Sequence, residues 1–113
     1  KASKKNIEKL KKRGVNIIAT KSIKGLVDMK SLMKTLGSMG IMNLLIEGGA
    51  EINSSVIKEK LVDKLLIFSA PKIIGRGKGA IGELGITKID NAINLKEYRT
   101  TKIGKDVLVE GYL

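Results

Sequence analysis

The chain has 113 residues and a formal charge of +11, from 22 Lys and Arg against 11 Asp and Glu. It contains no cysteine and no histidine, which excludes disulfides, thiolate nucleophiles, cysteine metal sites, the commonest general base and the commonest metal ligand. The length suits about one domain, and neither a membrane-spanning run nor a signal peptide is visible, so we expect a cytoplasmic protein with no metal and no membrane partner.

Basic residues are concentrated at the start of the chain, where 7 of the 22 lie within Lys1 to Arg13. Such a cluster raises nucleic-acid binding as one interpretation. However, the chain has only three aromatic side chains that can stack on nucleobases, and the other basic residues are scattered. We therefore predict no nucleic-acid partner and expect the charge to serve solubility and to attract phosphorylated small molecules.

The first part of the chain predicts two helices with a strand between them. Between Lys4 and Arg13, two apolar residues stand three positions apart among charged residues, and Gly14 follows where a helix would end. This pattern indicates a short amphipathic helix. Val15 to Ala19 predicts a strand. Asp28 is placed to cap a second helix, whose apolar stripe continues to Gly40.

The middle of the chain alternates between strand and helix. Ile41 to Ile46 is a nearly continuous apolar run, typical of a strand covered on both faces in a parallel sheet. Ala50 to Lys60 carries a helical apolar stripe, and Leu65 to Ala70 predicts a second buried strand. This alternation predicts an α/β fold with a mostly parallel sheet flanked by helices.

The last part of the chain predicts a loop followed by sheet. Glycines punctuate the segment from Gly75 to Gly85, where no helical period is visible. Tyr98 to Ile103 and Val107 to Leu113 flank Gly104-Lys105-Asp106, which predicts a C-terminal antiparallel hairpin.

A G-x-G-x-x-G pattern occurs at Gly77 to Gly82, in the wrong context for a dinucleotide fingerprint. That fingerprint leaves a strand directly and opens a helix, whereas here a loop precedes the pattern and no helix follows. We favour a structural loop, although Lys72, Arg76 and Lys78 are available to meet a ligand phosphate.

The junction Glu47-Gly48-Gly49 is the most informative feature, because it joins the end of an apolar run to the start of a helix. A strand-to-helix turn of this kind presents backbone N–H groups and the positive end of a helix dipole to a phosphate. A tight turn that needs glycine for its dihedral angles, with Glu47 solvated, is the alternative. The residues predicted to line a phosphorylated cofactor are Gly48, Gly49, Ala50, Glu51, Ile52 and Asn53.

Several blocks resemble one family in order and spacing: Leu44 to Ala50, Leu61 to Leu65, Ala70 to Gly75 and Gly104 to Leu108. The family is the riboflavin-biosynthesis reductase domain, usually the C-terminal half of a bifunctional deaminase/reductase. The resemblance implies a dihydrofolate-reductase-like fold, a homodimer, and an upstream zinc deaminase domain. Family domains are roughly twice this size, so we expect residues 1–113 to be the later part of a larger reductase domain.

The resemblance also implies a reaction, the NADPH-dependent reduction of 5-amino-6-(5-phosphoribosylamino)uracil to its ribitylamino product. Glu47 would contact this phosphorylated substrate, and the Gly48 to Asn53 segment would hold NADPH. By similarity to dihydrofolate reductases, we also predict a cis peptide bond between Gly48 and Gly49. The alternatives are a related diaminopyrimidine or pteridine reductase of the same fold and, outside enzymes, a basic nucleic-acid-binding module.

Overall fold

The computed structural model describes residues 3–23 and 25–113. The chain divides into two compact units, Lys1–Met42 and Asn43–Leu113. The helices are α1 (Lys4–Lys11), α2 (Met29–Ser38) and α3 (Ala50–Lys58), with a one-turn 3₁₀ helix at Ile89–Asn91. The strands are β1 (Ser22–Ile23), β2 (Leu26–Val27), β3 (Lys64–Ser69), β4 (Lys96–Ile103) and β5 (Asp106–Tyr112).

The first unit contains the two predicted helices, and side chains cap both of them. Ser3 accepts a hydrogen bond from the Asn6 N–H at 3.3 Å, and Asp28 accepts one from the Ser31 N–H at 2.9 Å. These caps explain why the helices begin where they do. The β1–β2 hairpin was not predicted, and the first two residues of the basic run lie outside the described residues.

The α-helices α1, α2 and α3 end in the same turn, in which an amide donates a hydrogen bond back to the carbonyl five residues earlier. The residue before that amide has a left-handed backbone, with φ of +75° at Gly14, +83° at Gly40 and +54° at Lys60. Glycine adopts this conformation at little cost, whereas other residues lose about 1 kcal/mol or more. The bonds join Val15 to Leu10 (3.2 Å), Ile41 to Leu36 (3.1 Å) and Leu61 to Val56 (2.9 Å).

Replacing Lys60 with glycine should therefore stabilise the protein. We expect Lys60→Gly to raise the free energy of unfolding by about 1 kcal/mol, because it removes the cost of a left-handed lysine. Urea denaturation measures this. Lys58→Gly is the matched control and should lower stability by about 1 kcal/mol, since Lys58 lies within the helix. Equal losses in both variants would contradict the prediction.

The second unit contains a three-stranded sheet in the order β3-β5-β4. The predicted hairpin is confirmed: β4 and β5 pair antiparallel around a turn in which Gly104 has φ of +62°. β5 then runs antiparallel to β3 along all six β3 residues. Val56 and Ile57 of α3 and Leu108 of β5 are the buried apolar side chains of the described chain.

The prediction of a mostly parallel sheet is not confirmed, because every ladder among the described residues is antiparallel. The strands predicted at Val15 to Ala19 and Ile41 to Ile46 are wrong for this structure. A strand requires hydrogen bonds to a neighbouring strand, and neither run pairs with another strand in the described chain. The strand at Leu65 to Ala70 forms at Lys64–Ser69 but is not buried, since Leu66 and Phe68 are 43% and 62% exposed.

One buried carboxylate joins the three strands of this sheet. Glu110 of β5 forms ion pairs of 2.6 Å with Lys64 of β3 and 2.6 Å with Arg99 of β4. Its side chain is only 11% exposed, and its two partners satisfy both oxygens. Two hydrogen bonds lower the pKa of Glu110 to about 2, and the bond from Arg99 contributes more than the bond from Lys64.

The depressed pKa of Glu110 predicts acid-sensitive stability. The ion pairs contribute fully above about pH 4.5, the ordinary pKa of the unfolded carboxyl, and are lost as the pH falls toward about 2. We expect Glu110→Gln to lower the free energy of unfolding at neutral pH. The variant should also lose less stability than the parent between about pH 5 and pH 3, measured by urea denaturation. An identical acid dependence in both proteins would contradict this assignment.

Candidate functional site

The first turn of α3 differs from those of α1 and α2 because no side chain caps it. Gly49 occupies the capping position with an extended backbone (φ −79°, ψ 175°) and offers no side-chain acceptor. The Asn53 N–H donates to the Gly49 carbonyl at 3.0 Å. Among the described residues, nothing accepts a hydrogen bond from the three preceding amides. Ala50, Glu51 and Ile52 therefore present their N–H groups at the positive end of the helix dipole.

The two glycines before α3 differ in the space around them. A Cβ atom on Gly48 would lie 2.8 Å from the Ile52 Cβ and 3.2 Å from the Asn53 side-chain oxygen. Gly48 therefore permits the close approach of the turn to the helix. A Cβ on Gly49 would meet no atom within 4 Å. The space in front of Gly49 is open, next to the three amides.

A glycine-containing loop packs against this same turn. The Gly82 N–H donates to the Ala50 carbonyl at 3.0 Å, and a Cβ on Gly82 would lie 3.0 Å from both that oxygen and the Ser54 hydroxyl. The Asn53 side-chain amide donates to the Ala80 carbonyl at 2.8 Å and to the Gly48 carbonyl at 3.3 Å. Asn53 thus ties the turn, the helix and the loop together.

This arrangement gives the G-x-G-x-x-G segment a structural role, as the sequence favoured, and also places it beside the candidate site. Lys78 precedes Ala80 by two residues, so it lies within about 7 Å of the Asn53-bound carbonyl along the chain. The contact between Asn53 and Ala80 spans 27 residues. No local pattern in the sequence predicts this contact, because its two residues are far apart along the chain.

The acidic residues of the site are exposed. Glu47 and Glu51 both lie at the surface, and neither is paired with a basic side chain of the described chain. The Gly48–Gly49 peptide bond is trans, so the predicted cis bond is wrong. Trans is the ordinary form of a peptide bond that does not precede proline, because the cis form is energetically costly.

Two further features concern metal binding and membrane crossing in the described residues. No group of three acidic side chains comes together there in a way that would hold a metal ion. No helix in that part of the chain combines the length and the apolar character needed to cross a membrane.

Comparisons with known proteins agree with the resemblance seen in the sequence. The chain is 34% identical to riboflavin biosynthesis protein RibD of Aquifex aeolicus and 37% identical to that of Actinobacillus pleuropneumoniae, over 90% and 92% of its length. It is 37% identical, over 74% of its length, to a 2,5-diamino-6-ribosylamino-4(3H)-pyrimidinone 5′-phosphate reductase of Methanothermobacter thermautotrophicus. The chain spans 27%, 28% and 40% of these three relatives.

The fold also matches a solved structure. Acinetobacter baumannii RibD superposes with a TM-score of 0.76 at 21% identity, covering 93% of this chain and 28% of that one. The sequence matches the family described as RibD C-terminal domain over residues 1–109. The chain therefore belongs to the RibD C-terminal domain family.

Proposed function

We propose that this chain forms part of an NADPH-dependent reductase of riboflavin biosynthesis that acts on 5-amino-6-(5-phosphoribosylamino)uracil. The observation that carries the proposal is the uncapped first turn of α3 behind the open Gly49. Two of the relatives are named as riboflavin biosynthesis proteins and a third as a ribosylamino-pyrimidinone phosphate reductase. We further propose that residues 1–113 are the later portion of a larger, homodimeric reductase domain.

The turn fits the phosphates of a dinucleotide. Three amides converge at a helix N-terminus, and the absence of a side chain at Gly49 leaves room for an anion to reach them. The carboxylate of Glu51 would repel a phosphate if it pointed toward the turn. Glu51 is exposed, so its side chain has room to point away into solvent. Lys78, on the loop fixed by Asn53, supplies a positive charge within reach of the turn.

The reaction assigns different tasks to the cofactor and to the chain. When bound, NADPH supplies a hydride to the sugar carbon of the substrate. The chain supplies orientation: the Ala50, Glu51 and Ile52 amides hold the cofactor phosphates. Glu47 precedes this turn, and its exposed carboxylate accepts hydrogen bonds from donors of the phosphoribosyl substrate.

Turnover with purified full-length protein tests the proposal and separates it from its closest alternatives. We expect NADPH oxidation with the phosphoribosylaminouracil substrate to exceed that with a 2,5-diaminopyrimidinone ribosyl phosphate or a dihydropterin. If either competitor is turned over faster, that compound and not the phosphoribosylaminouracil is the substrate. Glu47→Gln should lower turnover while leaving NADPH affinity unchanged. Loss of NADPH affinity in that variant would show that Glu47 contacts the cofactor and not the substrate.

A further inference from the structure

A cavity lies at the opposite end of α3 from the Gly48–Gly49 turn. Its volume is about 620 Å³, within the range of small-molecule pockets. The nine residues of α3 separate it from the candidate site by about 13 Å. Six of its eleven lining residues are apolar: Ile57, Val62, Leu84, Ile86, Ile93 and Leu113.

Polar residues also line the cavity, and positive charge dominates among them. Lys58, Lys60 and Lys96 contribute three positive charges against the single negative charge of Asp63, with Asn91 as the neutral member. Among the described residues, no carboxylate lies within ion-pair distance of these lysines. The cavity therefore combines apolar side chains with cationic groups that no carboxylate of the described chain pairs with.

The turn after α3 requires a left-handed backbone at residue 60 but does not require a lysine there. Gly14 and Gly40 occupy the equivalent position after α1 and α2, whereas α3 has a lysine there with φ of +54°. A positive charge near a helix C-terminus is favourable, but Lys58 already supplies one without a left-handed backbone. Residues kept at a cost to stability are typical of functional sites.

We propose that this cavity binds a small organic anion with an apolar body and a phosphate or carboxylate group. The apolar walls bury the body, and Lys60 and Lys96 hold the anionic group. The site is separate from the first turn of α3 and does not depend on the proposed reductase activity.

Titration of the isotopically labelled full chain with 1-naphthyl phosphate, followed by amide NMR, tests this site. We expect shifts at Ile57, Lys60, Leu84 and Leu113, whatever occurs at the Ala50 turn. 1-Naphthol and inorganic phosphate should each bind more weakly, because each carries only half of the required chemistry. Naphthol binding as tightly as naphthyl phosphate, or no shift at the cavity amides, would overturn the proposal.

Variants distinguish this site from general attraction to a basic chain. Lys60→Gly and Lys96→Gln should each weaken naphthyl phosphate binding about tenfold, as expected for loss of a charged hydrogen bond. Lys60→Gly is suitable because glycine favours the fold at this position. Lys102→Gln removes the same charge from β4, outside the cavity, and should have little effect. Equal loss in all three variants would overturn the proposed site.

Discussion

Gly49→Val should raise the NADPH concentration required for half-maximal turnover at least about tenfold, because its side chain fills the space through which a phosphate reaches the α3 amides. The backbone at Gly49 is one that valine adopts, so the protein should remain folded. Steady-state kinetics of the full-length protein with varied NADPH measures the effect.

Gly49→Ser is the informative control for this prediction. A serine at this position caps the helix with its own hydroxyl and should raise stability by a few tenths of a kcal/mol. The same hydroxyl competes with a phosphate for the amide donors, so NADPH affinity should fall, though less than in Gly49→Val. If both variants require the same NADPH concentration as the parent for half-maximal turnover, this turn does not bind the cofactor.

Gly48→Ala should lower the free energy of unfolding by about 1–3 kcal/mol, the usual cost of overpacking. The added Cβ would lie 2.8 Å from the Ile52 Cβ and 2.9 Å from its Cγ2, closer than the atoms tolerate. The turn or the helix must therefore shift.

Gly49→Ala is the matched control for Gly48→Ala, since its Cβ enters open space. It should cost less than about 1 kcal/mol, the penalty for a poorer capping residue. Urea denaturation of both variants measures the difference. Equal destabilisation would show that the two glycines are not distinguished by packing.

Local signals predicted the helices well. Asp28 and Gly40 mark both ends of α2, and the apolar stripe of α3 includes the buried Val56 and Ile57. Capping residues and helical periodicity act over a few residues, so one segment contains the whole signal. The β4–β5 hairpin was predictable for the same reason, since its turn specifies the pairing.

The sheet could not be predicted from local signals. Ile41 to Ile46 has the composition of a strand, but no neighbouring strand in the described chain pairs with it. β3 forms because β5, which follows much later in the chain, returns beside it. The long-range contact from Asn53 to the Ala80 loop is of the same kind. Pairing and loop docking depend on partners that hydrophobic patterns do not identify.

Amide proton exchange of the full-length protein with and without NADPH tests the central claim most directly, because it reports on the proposed donors themselves. We predict that NADPH slows exchange of the Ala50, Glu51 and Ile52 amides, which have no acceptor among the described residues. Exchange in the β4–β5 hairpin should not change. NADPH binding that leaves these three amides unprotected would contradict the assignment of the Gly48–Gly49 turn as the cofactor site.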